Sequence, residues 1–125
     1  MAIAYTGNVN VEDDDFTMEF LRFIVRKSEI AFEITGADDE GRFNTEGVAP
    51  QTEHGNYIAN VEVEYPGYRG EQQAYQKERV WKGPGVIVIS EAKKISKSNK
   101  CKVKGKWLQN GDEWGFEGIL DRYKA

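Results

Sequence analysis

One stretch of the chain puts polar groups on both sides of a single strand, and a binding site is expected there. Gln73 to Trp81 presents Tyr75, Lys77, Arg79 and Trp81 on one parity, and Ala74, Gln76, Glu78 and Val80 on the other. Whichever parity turns inward, the interior receives a polar or charged group. A buried charge has to be paired or solvated. Arg22 joins this set, because on the parity of Phe16, Met18 and Phe20 it also points inward. An apolar concavity with a few convergent polar groups is the usual form of a small-molecule site. Arg22, Tyr75, Glu78, Arg79 and Trp81 are therefore the candidate ligand-binding residues. The same groups have a plainer reading, as an edge strand wet on both faces or as internal ion pairs such as Arg22 with Glu78.

Other chemistry is poorly served. A cysteine nucleophile needs a histidine base, and Cys101 shares a face with Val103 and Trp107, which marks it as a small core residue. His54 lies in the loop Gln51 to Gly55 beside Glu53 and reads as surface. With one Cys and one His, neither a CxxC motif nor a multi-histidine metal site can be built. The carboxylates of Glu12 to Asp15 and Asp38 to Glu40 are oxygen donors of the kind Ca²⁺ takes, but neither run has EF-hand spacing. No catalytic residue, metal or cofactor is expected, and the protein reads as non-enzymatic.

Lys93, Lys94, Lys97, Lys100, Lys102, Lys104 and Lys106 place seven positive charges within 14 residues, a footprint that could meet phosphates. Single-strand binders interleave such charges with exposed aromatics, and Trp107 belongs to the opposite face. Lysines also protect exposed strands, so a nucleic-acid partner is not expected. The formal net charge of −4 hides a division along the chain. Residues 1–64 carry 14 acidic against 4 basic residues, and residues 65–125 carry 7 against 13. An acidic half and a basic half offer a second reading, a protein-interaction or self-assembly module with a possible homo-oligomer.

The elements that must position these groups are short strands. Cys101 to Leu120 writes a β-hairpin: with Asn110-Gly111 in a two-residue turn, Trp107 falls opposite Trp114, Gly105 opposite Phe116, Val103 opposite Gly118 and Cys101 opposite Leu120. That face is wholly apolar, while Lys102, Lys104 and Lys106 lie across from Ile119, Glu117 and Gly115 on the other. Glycines opposite larger partners suit a sharply curved antiparallel sheet. Ile3 to Val11 alternates as a first strand. Phe16 to Val25 fits both a helical stripe and alternation, and its β-branched and aromatic residues favour strand. A turn centred on Asp38 and Asp39 would face Ile34 with Phe43 and Phe32 with Thr45. Tyr57 to Tyr65 alternates cleanly, Gly83-Pro84-Gly85 reads as a turn, and Val86 to Ile89 as a buried strand. The total is eight or nine strands with all three prolines in loops. The chain is a single domain over 1–125, an all-β, closed or nearly closed up-and-down antiparallel barrel.

At 125 residues one domain can bury roughly two-thirds of its unfolded surface. The 39% hydrophobic and 30% charged residues belong to a globular chain rather than a disordered one. MAIAYTGNVNV lacks the basic start and continuous apolar run of a secretory signal, and no stretch approaches roughly 18 apolar residues. A cytoplasmic location without membrane partners is expected.

The ADDEGRFNTEG segment at Ala37 to Gly47, the YIANVEVEY strand at Tyr57 to Tyr65 and the VKGKWLQNGDEWGFEG hairpin at Val103 to Gly118 together resemble the small barrels of the avidin and lipocalin-like group. Gly105-x-Trp107 is similar to the G-x-W of lipocalins, although theirs lies on the first strand. The resemblance implies a barrel whose interior could hold a small ligand.

Overall fold

A computed structural model describes residues 3–39, 41–66, 81–95 and 97–123. Eight strands run antiparallel in chain order and close on themselves: β1 (Ile3–Val11), β2 (Thr17–Val25), β3 (Glu29–Asp38), β4 (Gly41–Pro50), β5 (Tyr57–Tyr65), β6 (Trp81–Lys94), β7 (Lys100–Gln109) and β8 (Asp112–Arg122). β8 returns to β1 through pairs such as Tyr5 with Arg122 and Val11 with Phe116. Closure follows from the alternation along each strand. One apolar parity needs an inside, and a closed sheet supplies it without leaving an edge.

The C-terminal hairpin has the register its turn dictates. Trp107 faces Trp114, Gly105 faces Phe116, Val103 faces Gly118 and Cys101 faces Leu120. Asn110 and Gly111 both take positive φ, 54° and 82°, the pair of left-handed residues that a type I′ turn requires. Gly105 has no room for a side chain: a Cβ there would run into the Val88 carbonyl oxygen and come within 2.7 Å of Phe116 Cζ. The ring of Phe116 thus covers the glycine, while an extra residue in β6, Ser90, creases the facing strand between the Ile89–Gly105 and Glu91–Lys104 pairs. β2 is a strand throughout, which resolves the ambiguity of Phe16 to Val25.

Three expectations are corrected. Ile34 pairs with Thr45 and Gly36 with Phe43, two residues away from the register centred on Asp38-Asp39. The turn instead lies between Asp38 and Gly41, where Gly41 adopts φ 118°. A shift of two preserves parity, so Phe32, Ile34, Phe43 and Thr45 still face inward. Pro50 ends β4 opposite Glu29 rather than standing in a loop, and Pro84 lies within β6 opposite Glu62 rather than in a turn. It is tolerated because the β6–β7 ladder begins only at Val86–Leu108, so Pro84 has no neighbour on that side to miss its N–H. Finally, Arg22 points outward.

Inside, 22 buried hydrophobic residues among those described form one cluster. Its aromatic spine runs from Phe23 and Phe20 to Phe116 at one level, with ring centroids 5.0 and 6.0 Å apart. At another level Phe16, in the β1–β2 connection, sits 5.5 Å from each of Phe43, Trp107 and Trp114. The weakest join is between β4 and β5. Asn44–Glu64 is their one ladder pair among the described residues, supplemented by the Thr45 hydroxyl, which donates to the Glu62 carbonyl at 2.8 Å.

Candidate functional site

Antiparallel order brings the C-terminal ends of β3, β5 and β7 and the N-terminal end of β6 to the same end of the barrel. Three of them deliver inward or rim residues there: Asp38 from β3, Tyr65 from β5, and Trp107 and Gln109 from β7. The Tyr65 hydroxyl is 2.7 Å from Asp38 Oδ2 and 3.3 Å from Gln109 Oε1, and the indole Nε1–H of Trp107 donates to Gln109 Oε1 at 3.1 Å. A phenol has one proton, and the shorter, charge-assisted contact to the carboxylate claims it.

The orientation of the Gln109 amide is set by chemistry. Indole nitrogen can only donate, so the atom facing it must be the amide oxygen, and the NH₂ group is turned elsewhere. Gln109 is only 6% exposed, and its Nε2 is buried with no hydrogen-bond partner. A buried donor left unmet costs about 1–3 kcal/mol. Among the described residues it is the buried side-chain polar atom left without a partner.

Gln109 also lines a groove of about 610 Å³ on the barrel wall, formed where the start of β6 parts from the tip of the β7–β8 hairpin. Val61, Pro84, Val86 and Leu108 give it apolar walls, and Asp112 and Glu113 form its rim. Gly85, buried and without a side chain, contributes to the floor. The volume is within the usual range of small-molecule sites, roughly 300–1,000 Å³.

The residues chosen from sequence fare unevenly. Tyr75, Glu78, Arg79 and the Trp81 side chain lie outside the described residues, as does the rest of the polar stretch from Gln73. The Trp81 backbone pairs with Tyr65 and so stands at the polar end of the barrel. Arg22 does not join the site. Its side chain is 57% exposed and meets Glu33 across the outer surface at 3.8 Å. The cause is a register shift in β2: Phe20 pairs with Ile34 but Arg22 pairs with Glu33, leaving Leu21 as the extra residue. One inserted residue reverses parity, so Phe23 rather than Arg22 points into the core.

Gln109, Tyr65 and Asp38 were missed as site residues. The signal for Gln109 was present: extending the hairpin by one pair beyond Trp107–Trp114's neighbours reaches Gln109–Asp112, so the dry face ends in an amide and is not wholly apolar.

Other chemical groups are not assembled. Cys101 is 1% exposed, and burial pushes its thiol pKa up to about 11. His54 is exposed in the β4–β5 connection. Among the described residues no group of three or more His, Cys, Asp or Glu side chains is placed to hold a metal ion. The lysine run is outward-facing, and three of its seven lysines meet carboxylates: Lys100 to Asp121 and Lys106 to Glu113 at 2.6 Å, and Lys102 to Glu91 at 4.0 Å. Lys82 reaches back to Glu62 and Glu64 in the acidic half, 3.4 Å from each. No described helix is long and apolar enough to cross a membrane.

Comparison of the chain with protein-family models, with curated proteins and with solved structures gives no match in any of the three.

Proposed function

We propose that the protein is a non-enzymatic binding module for a small molecule, with its site at the groove between β6 and the β7–β8 tip. The observation that carries this reading is the groove of about 610 Å³ itself, where apolar Val61, Pro84, Val86 and Leu108 lie beside polar Asn60, Asn110 and Asp112. The apolar walls supply area to bury and the polar side chains supply orientation, the division of labour found in small-molecule sites. The likeness in rhythm to avidin and lipocalin-like barrels supports the same direction.

The alternative, assembly through an acidic and a basic half, draws less support from the geometry. Lys82 ties the two halves together within one barrel, and several lysines of β7 meet carboxylates on β6 and β8.

The test is to titrate the uniformly ¹⁵N-labelled protein with a set of small neutral aromatic compounds and follow backbone amides. Saturable shifts confined to Gly85–Val86 and Leu108–Glu113 are expected. Shifts scattered over the barrel, or none, would remove this reading.

A further inference from the structure

Resting on that reading, we infer that the ligand is an amphipathic amine, an apolar body small enough for the groove and carrying a single ammonium group. The base of the groove is a row of side chains on the outer wall, in register across four strands: Asn60 faces Val86, Val86 faces Leu108, and Leu108 faces Glu113. Outward positions of a barrel meet water, and polar residues suit them. Here the two middle places are hydrocarbon and only half-buried, with the exposed ring of Pro84 beside them. Covering such surface with an apolar ligand is favourable.

The polar groups around that hydrocarbon select the head group. Among the described lining residues, Asn60, Asn110, Asp112 and Glu113 each carry an oxygen that accepts hydrogen bonds, and none is cationic. The amides can serve either a donor or an acceptor, so charge decides. Glu113 is matched by Lys106 at 2.6 Å, whereas Asp112, exposed beside the hairpin turn, has no ion pair among the described residues. On the other side, Glu62 opposite Pro84 shares Lys82 with Glu64, 3.4 Å from each. Four carboxylates thus stand against two ammonium groups along the groove, and a concavity with apolar walls concentrates such a field. An anion is repelled, a neutral ligand gains only its apolar burial, and an ammonium gains both.

Three probes of similar shape test this: phenethylamine, charged at neutral pH, the neutral phenethyl alcohol, and the anionic phenylacetate. The readouts are the backbone amides of Gly85, Val86 and Leu108 to Glu113, and the dissociation constants at about 0.05 M and about 0.5 M salt. Phenethylamine should shift those amides and bind about fivefold more tightly than the alcohol at the lower salt, the gain of one exposed charge contact, with phenylacetate the weakest of the three. At the higher salt, where the Debye length is about 4 Å, the preference should shrink toward unity. In Asp112→Asn, an isosteric change at an exposed position, it should fall to about twofold at low salt. Equal binding of amine and alcohol at low salt, or an amine preference unchanged in Asp112→Asn, would overturn the inference and leave the small-molecule reading in place. Absence of groove shifts with all three probes would overturn both.

Discussion

Trp107 Nε1–H donates to Gln109 Oε1 across 3.1 Å, between two inward-facing residues of the same strand. Trp107 is fully buried and is among the largest such side chains of the core, so its single donor needs an acceptor inside the barrel. Gln109 supplies one and in doing so turns its own NH₂ away. The same contact satisfies the core tryptophan and leaves the amide NH₂ buried and unmet. Gln109→Leu deprives Trp107 of its acceptor, a cost of about 1–3 kcal/mol, and removes the unmet Nε2 donor, a gain of similar size, so urea unfolding should show a net change under about 1 kcal/mol. A loss of about 3 kcal/mol or more would mean that the Gln109 amide is satisfied in the folded protein.

The C-terminal hairpin should be the centre of stability. Trp107→Ala removes a fully buried indole and is expected to cost about 3–5 kcal/mol. Gly105→Ala acts from the other direction, pressing a methyl against the Val88 carbonyl and the Phe116 ring, with a cost of about 1–3 kcal/mol. Thermal unfolding of both variants decides. If Trp107→Ala melted within a degree or two of the parent, the hairpin would not anchor the core.

How far the sequence spoke depended on local chemistry. Asn110-Gly111 permits essentially one turn geometry, so the register of β7 and β8 was legible pair by pair. Asp38-Asp39 imposes no such geometry, and the turn lies one residue onward, which moves each pairing partner by two. Alternation still placed Phe32 and Phe43 correctly, because a shift of two leaves the face unchanged. The inserted Leu21 was not legible as a bulge, although the uneven spacing of Phe16, Phe20 and Phe23 was its trace. It moved Arg22 outside. Pro84 read as a turn because proline is poor in ladders, whereas its position beyond the β6–β7 ladder is visible only in three dimensions. The site was hardest to see, since Gln109 matters through what surrounds its amide and not through any motif.

The β4–β5 seam should open first. Asn44–Glu64, the Thr45 hydroxyl and, where β4 turns into β5, the Gln51–Tyr57 bridge are its described polar links, while the neighbouring β3–β4 ladder runs through ten pairs. Native-state hydrogen exchange should find the seam-facing amides of β4 and β5 less protected than those of β7 and β8. Thr45→Val, which keeps the shape and loses the bond to Glu62, should cost about 1 kcal/mol and speed that exchange further. Uniform protection around the barrel would count against a weak seam.

Cys101 gives the stability a specific alkaline limit. Its thiol pKa is raised from 9.0 to about 11 by burial, so the unfolded chain ionises first. The stabilising contribution is complete below about pH 9 and is lost as pH rises toward 11. Midpoints of urea unfolding should decline over that window more steeply for the parent than for Cys101→Ala. The native thiol should also resist a disulfide reagent near pH 8 and react fully once unfolded. Rapid labelling of the folded protein would show the thiol to be accessible.

The charge division of the sequence should not drive association. Lys100–Asp121 and Lys106–Glu113 are close contacts, and Lys82 bridges Glu62 and Glu64, so much of the lysine potential is met on the outer surface of the same barrel. These side chains are about half exposed, and such pairs individually add little to stability. Their effect is to shorten the range of the field each half presents. Sedimentation at about 0.05 M salt should therefore give a monomer, unchanged near 0.5 M, where the Debye length is about 4 Å. Oligomers at low salt that dissociate as salt is added would instead show that enough unmatched charge remains for head-to-tail assembly, and the interaction-module reading would displace the small-molecule one.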